Sequence, residues 1–180
     1  MDQAIESAPL TAPDFRPTAV AVRNKAEDAI HQLWGSVFLS PERAAPKTVV
    51  ITSAEPREGV TQIAAALALT GSSGAYGQRV VLVEFNWRRP KLAQLFGLRP
   101  SPGVLDILTA DAPIGASAVK LGARLQVLVA GQAAETLKTP QNGRMANLIQ
   151  TLAEHNDHVI IDAPAVNRAP IAQTLAALTD

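Results

Sequence analysis

The chain has 180 residues, 47% hydrophobic and 18% charged, which is enough apolar material for one domain with a sizeable core and excludes disorder throughout. Its 16 Lys+Arg balance 16 Asp+Glu with no long basic run, so no phosphate-backbone footprint is present and no nucleic-acid partner is expected. Cysteine is absent, which removes disulfides, thiolate metal sites and cysteine nucleophiles together. No stretch approaches the roughly 18 consecutive apolar residues of a membrane span, and the opening MDQAIESAPL has neither a basic start nor an apolar core. A cytoplasmic location is expected, with any membrane link made through a partner.

Residues 1–22 carry Pro9, Pro13 and Pro17 without a sustained period and read as a flexible arm, leaving 23–180 as the domain. From Lys25 to Leu39 the apolar positions Ala26, Ala29, Ile30, Leu33, Val37 and Phe38 recur mostly at spacings of three and four, which predicts an amphipathic helix ending before Pro41. The β-branched run Val49–Ile51 predicts a strand, Ser53 to Gly59 a turn-rich loop, and the Ala-rich stretch from Val60 a helix narrow enough to lie close on a sheet. GSSGAYG ends that helix. The continuous apolar run of 79–84, RVVLVE, predicts a buried parallel strand and so a βαβ unit with a right-handed crossover. A short helix is expected from Pro90 through Leu92, Leu95 and Phe96, stopped by Gly97. Further on, a third strand is expected at 125–130, a helix at 141–155, a fourth strand at 158–162 and a helix at 170–178, with no later strand to flank the sheet. Alternating strands and helices predict a three-layer α/β fold with a mostly parallel central sheet and its site at the carboxyl ends of the strands.

Strand, loop and helix at 47–62, KTVVITSAEPREGVTQ, form the order in which backbone N–H groups and a helix N-terminus converge on one anion. The pattern GxxxxGK[ST] supplies a lysine for the β/γ-phosphates and a hydroxyl for magnesium, whereas here Gly59 is followed by Val60 and Thr61. The helix macrodipole favours an anion there by roughly 0.3–1 kcal/mol. A hydrogen bond to a charged group contributes roughly 1.5–3 kcal/mol, so Val60 in place of the ammonium weakens ATP by at least about tenfold. Arg57 is a candidate substitute for that charge, against a plain reading as a solvated arginine. At the second strand end, Glu84 is a candidate for holding magnesium through water or orienting a nucleophile, and equally for capping a helix. Arg88 and Arg89 suit phosphate or a neighbouring carboxylate, with a solvated pair as the default. Asp162, after His158-Val159-Ile160-Ile161, sits where a magnesium-water ligand belongs in phosphate-loop proteins. His31, His155 and His158 have no metal-ligand spacing.

These segments together resemble the bacterial tyrosine kinase and capsular or exopolysaccharide chain-length ATPase family, in the deviant-Walker group that also holds the Min and Par partitioning ATPases. ITSAEPREGVTQ is similar to that family's TS-x-x-PGEGKST loop, VVLVEFNWRRP to its second motif ending DxDxRRP, and HVIIDAPAV to its Walker B segment ending DTPPV. GVLDIL at 103–108 and LQVLVAG at 125–131 resemble its linking segments, and the likeness runs over about residues 25–180. The resemblance implies a P-loop NTPase-like fold, with Arg57, Glu58, Gly59, Val60, Thr61, Gln62 and Arg88 at cofactor-binding positions. It further implies Asp162 and Glu84 at catalytic positions, and Thr61 and Asp162 at the metal. Arg57 stands at the loop's first glycine, Val60 at its lysine, Gln62 at a threonine, and Glu84 and Asn86 at the two aspartates of the second motif. The family's oligomerisation pattern, Glu-x-x-Arg-x-x-Arg, falls on Asp28, His31 and Trp34, which puts ring assembly by that route in doubt. The family's kinases carry a C-terminal tyrosine cluster, whereas the single tyrosine here is Tyr76, and the chain is expected to lack the family's last strand and helix.

The expectation is a degenerate P-loop module, a pseudo-kinase or pseudo-ATPase. Its partner would be a membrane polysaccharide copolymerase subunit, through cytoplasmic tails, in exopolysaccharide or capsule biosynthesis, with a homo-oligomer as a further option. ATP and Mg are its implied cofactors, weakened by Val60. Two alternatives stand beside it: an active ATPase or tyrosine autokinase with arginine in place of the lysine, and a Min/Par-type partitioning ATPase.

Overall fold

The computed structural model describes residues 24–42, 44–110, 112–132 and 142–179; the arm expected at 1–22 lies outside them. The elements are, in chain order, α1 (Asn24–Phe38), β1 (Thr48–Ile51), α2 (Val60–Ser72), β2 (Val80–Glu84), α3 (Leu92–Phe96), α4 (Val104–Ala110), α5 (Ile114–Ser117), β3 (Val119–Lys120), β4 (Leu125–Leu128), α6 (Asn142–His155), β5 (His158–Asp162) and α7 (Ile171–Ala177). The sheet order is β1-β5-β2-β4-β3, with the first four strands parallel and β3 antiparallel to β4. No helix among the described residues is long and apolar enough to cross a membrane.

β2 and β5 are buried along their whole length, as strands covered on both faces must be, and their side chains divide between two cores. Val80, Leu82 and Ile160 pack with Trp34 and Phe38 of α1, the alanines and Leu67 of α2, and Leu92 and Phe96 of α3. Val81, Val83, Val159 and Ile161 pack on the opposite face with Val104 and Leu108 of α4, Met145, Leu148 and Leu152 of α6, and Leu175 of α7. The result is the three-layer α/β fold with a mostly parallel sheet that the alternation of elements predicts.

Four elements differ from the sequence reading, the four-residue α5 among them. The segment GVLDIL starts α4, because Asp106 Oδ2 accepts the Gly103 N–H at 2.8 Å and closes the helix N-terminus from inside its first turn. β3, only two residues long, flanks β4 as an edge strand, so the sheet has five strands where four were expected. The third expected strand stops at Leu128, where Val129 and Ala130 turn their carbonyls to the N–H groups of Val104 and Leu105, each at 2.9 Å. The other boundaries agree to within about two residues, including the left-handed Gly97, φ 64°, that ends α3.

α1 is held by aromatic packing. Trp34 is fully buried, stacks on Phe38 at 4.1 Å between ring centroids, and meets the His158 ring edge-on at 5.5 Å. The helix position expected to carry the family's second oligomerisation arginine is therefore a core residue here.

Candidate site at the carboxyl ends of the strands

Sheet register brings the candidate acids into one row. Asp162 lies opposite Ile51 of β1 on one side and Glu84 of β2 on the other. The chain after Ile51 and the chain after Asp162 then run together: Thr52 Oγ1 donates to Pro164 O at 2.8 Å and the Val166 N–H to Ser53 O at 3.0 Å. Asn167 Nδ2 donates to Glu55 Oε1 at 3.0 Å, and Arg168 Nη2 lies 3.8 Å from Glu55 Oε2. Glu55 and Asn167 have no signal in the sequence, since they lie more than a hundred residues apart and fall on no matched motif position.

The loop itself keeps two left-handed residues, Arg57 at φ 75° and Gly59 at φ 85°, before α2 begins at Val60. Both fall where the resembled loop has glycine. Glu58 Oε2 accepts the Glu55 N–H at 3.2 Å, which folds the loop back on itself. An arginine in this conformation carries steric strain that glycine does not. Arg57→Gly is expected to stabilise the domain by about 1 kcal/mol, read as a higher urea midpoint at unchanged slope. Val60 and Thr61 are half-buried in the first turn of α2, and Gln62 is exposed. Arg88 is exposed in the loop after β2 and makes no ion pair among the described residues.

Glu84 is fully buried and both of its oxygens are engaged. Oε1 accepts the N–H groups of Lys91 and Leu92 at the start of α3, the latter at 2.9 Å, and Oε2 accepts the Ala130 N–H at 3.0 Å. Burial raises its pKa and the three backbone donors oppose that rise. Glu84 thereby caps α3 and ties it to the end of β4.

Asp162 is the converse case. It is fully buried and neither oxygen has a hydrogen-bond partner. Burial pushes its pKa up to about 7; the nearby Thr61 hydroxyl lowers it, without reaching hydrogen-bond geometry, and the Glu84 charge raises it. For magnesium and a nucleotide, the cofactors this fold implies, the fit is therefore divided. An orphaned carboxylate beside a hydroxyl suits a hydrated magnesium ion. The phosphate side offers backbone donors at the head of α2 but an apolar Val60 where the ammonium belongs.

A mostly parallel sheet with a phosphate-loop turn after β1 and an aspartate at the end of β5 is the P-loop NTPase-like fold. No family model matches the sequence. The chain is 32% identical over 143 residues to the succinoglycan biosynthesis transport protein ExoP of Rhizobium meliloti, covering 74% of this chain and 17% of ExoP. It is 33% identical over 160 residues to EpsB of Ralstonia nicotianae, covering 83% of this chain and 20% of EpsB. The chimerical protein CapA2B2 superposes with a TM-score of 0.79 at 26% identity, over 94% of this chain and 75% of that one. EpsB is named a putative tyrosine-protein kinase, and further structural neighbours are the kinase domains of VpsO and of the Escherichia coli tyrosine kinase ETK, with the septum site-determining protein MinD and a plasmid partition protein beyond them. The chain spans about a fifth of the length of the curated relatives it matches.

Proposed function

We propose that this domain is a non-hydrolysing, tyrosine-kinase-like module of an exopolysaccharide assembly system, which uses the phosphate-loop scaffold structurally and works by associating with a membrane polysaccharide copolymerase. The observation that carries the reading is Val60 at the head of α2, behind a loop whose backbone keeps left-handed turns at both glycine positions. Without the ammonium, neither tight binding of the triphosphate nor neutralisation of transferring phosphoryl charge is supplied by that position. The engagement of both Glu84 oxygens by backbone donors supports the same reading, and the name of ExoP, a succinoglycan biosynthesis transport protein, supports the pathway.

Calorimetric titration with Mg-ATP tests it. Little or no binding at micromolar nucleotide is expected of the unmodified protein, and Val60→Lys is expected to tighten binding at least about tenfold. Micromolar affinity or turnover in the unmodified protein contradicts the reading. A working ATPase or tyrosine kinase is the second reading, favoured by the unengaged Asp162 carboxylate beside Thr61. It requires Arg57→Ala to abolish hydrolysis; an unchanged rate removes Arg57 from it.

A further inference from the structure

Between Glu84 and Asp106 the sequence holds Arg88, Arg89, Lys91 and Arg99 and no acid, in a chain whose net charge is zero. All four are exposed, and none makes an ion pair among the described residues. They flank in sequence the walls of a cavity of about 320 Å³ between β2, α3 and the end of β4. Pro90, Ala93, Leu98, Pro100 and Val129 make its sides mostly apolar and, through the two prolines, stiff, with Gln94 the one polar side chain beside them. At its base lies Glu84, whose oxygens are engaged by backbone N–H groups. An inorganic anion on this rim leaves the apolar walls uncovered, and an uncharged apolar group leaves the four cations unanswered. The complementary occupant is apolar at its centre and anionic at its edges, the arrangement of a buried anchor within a charged rim that protein interfaces use.

We propose that this pocket docks an acidic peptide segment of a partner protein, with one apolar side chain seated between Pro90 and Pro100 and carboxylates on the flanking arginines. The docking stands whether or not nucleotide binds.

The test is fluorescence anisotropy of the full chain with a fluorescein-labelled peptide of one phenylalanine flanked on each side by three glutamates. Saturable binding that weakens with added salt is expected. The same peptide with alanine for phenylalanine is expected to bind about tenfold more weakly or worse. The double charge reversal Arg89→Glu/Arg99→Glu, both at exposed positions, is expected to weaken the phenylalanine peptide about tenfold while leaving the melting temperature unchanged. Absence of saturation overturns the proposal, as does equal binding of the alanine peptide or of one with lysines for glutamates. Salt-independent binding of the unmodified protein overturns it without recourse to any variant. Displacement of the peptide by phosphatidylglycerol vesicles, with the vesicles retained by the Arg89→Glu/Arg99→Glu protein, also overturns it.

Discussion

Asp162→Asn is expected to stabilise the ligand-free domain by about 4 kcal/mol at pH 8 and by about 2 kcal/mol at pH 5. The carboxylate is fully buried with neither oxygen hydrogen-bonded, and its pKa is pushed up from 3.8 to about 7. A raised acid pKa means that the folded state binds a proton the unfolded chain has already released. Stability contributed by this group therefore falls as pH rises from about 4 and levels off above about 7, where the carboxylate is charged in both states. Asparagine has the shape of the protonated acid and no charge to desolvate, so the gain is the removed penalty and is largest in the alkaline range. Thermal melts of the two proteins at pH 5 and pH 8 measure it; a 4 kcal/mol gain in a chain of this size corresponds to a rise of about 10 °C. Equal gains at the two pH values would show that the substitution acts through packing and that the carboxylate is not the cost.

The placement of that carboxylate was legible in the sequence, and its isolation was not. An apolar run ending in an acid marks the end of a buried parallel strand, and HVIID ends where the register sets Asp162 between Ile51 and Glu84. The resemblance pairs Thr61 with Asp162 at a metal, but only the fold shows that the Thr61 hydroxyl lies near without hydrogen-bonding the carboxylate. For Glu84 the sequence left a metal-directed acid and a helix cap both open. The donors that engage it are the first N–H groups of α3, a few residues on, and Ala130, which follows β4. The strands with four or more residues were readable because each is rich in β-branched residues or leucine, continuous in β1, β2 and β5 and broken in β4 by Gln126 alone. β3 is two residues long and shows no period. α4 depends on a cap, Gly103 to Asp106, that lies inside a segment chosen for its likeness to a linking motif. At α1 the apolar spacing located the helix, yet its most deeply buried residue, Trp34, was read only as a departure from an oligomerisation pattern.

That tryptophan underlies the other large effect, at Gly71. The Trp34 ring lies directly over Gly71 of α2, and a Cβ on Gly71 would overlap Trp34 Cη2 and Cζ3. In an exposed helix, Gly→Ala stabilises by up to about 1 kcal/mol. Here the added methyl must displace a fully buried ring that Phe38 and His158 hold from other sides, so Gly71→Ala is expected to destabilise by about 2–3 kcal/mol net. Trp34→Leu alone is expected to cost about 3 kcal/mol through the cavity it leaves. The double variant is expected to fall short of the sum by at least about 1 kcal/mol, because leucine frees the space that the alanine methyl occupies. Denaturant unfolding of the four proteins closes the cycle, and strict additivity would mean that ring and glycine do not share the space. A coupling of the expected sign places α1 firmly against α2, with Trp34 facing the domain's own core; an arginine at that position, as the family's assembly pattern has it, would then have to leave the core to reach a neighbour.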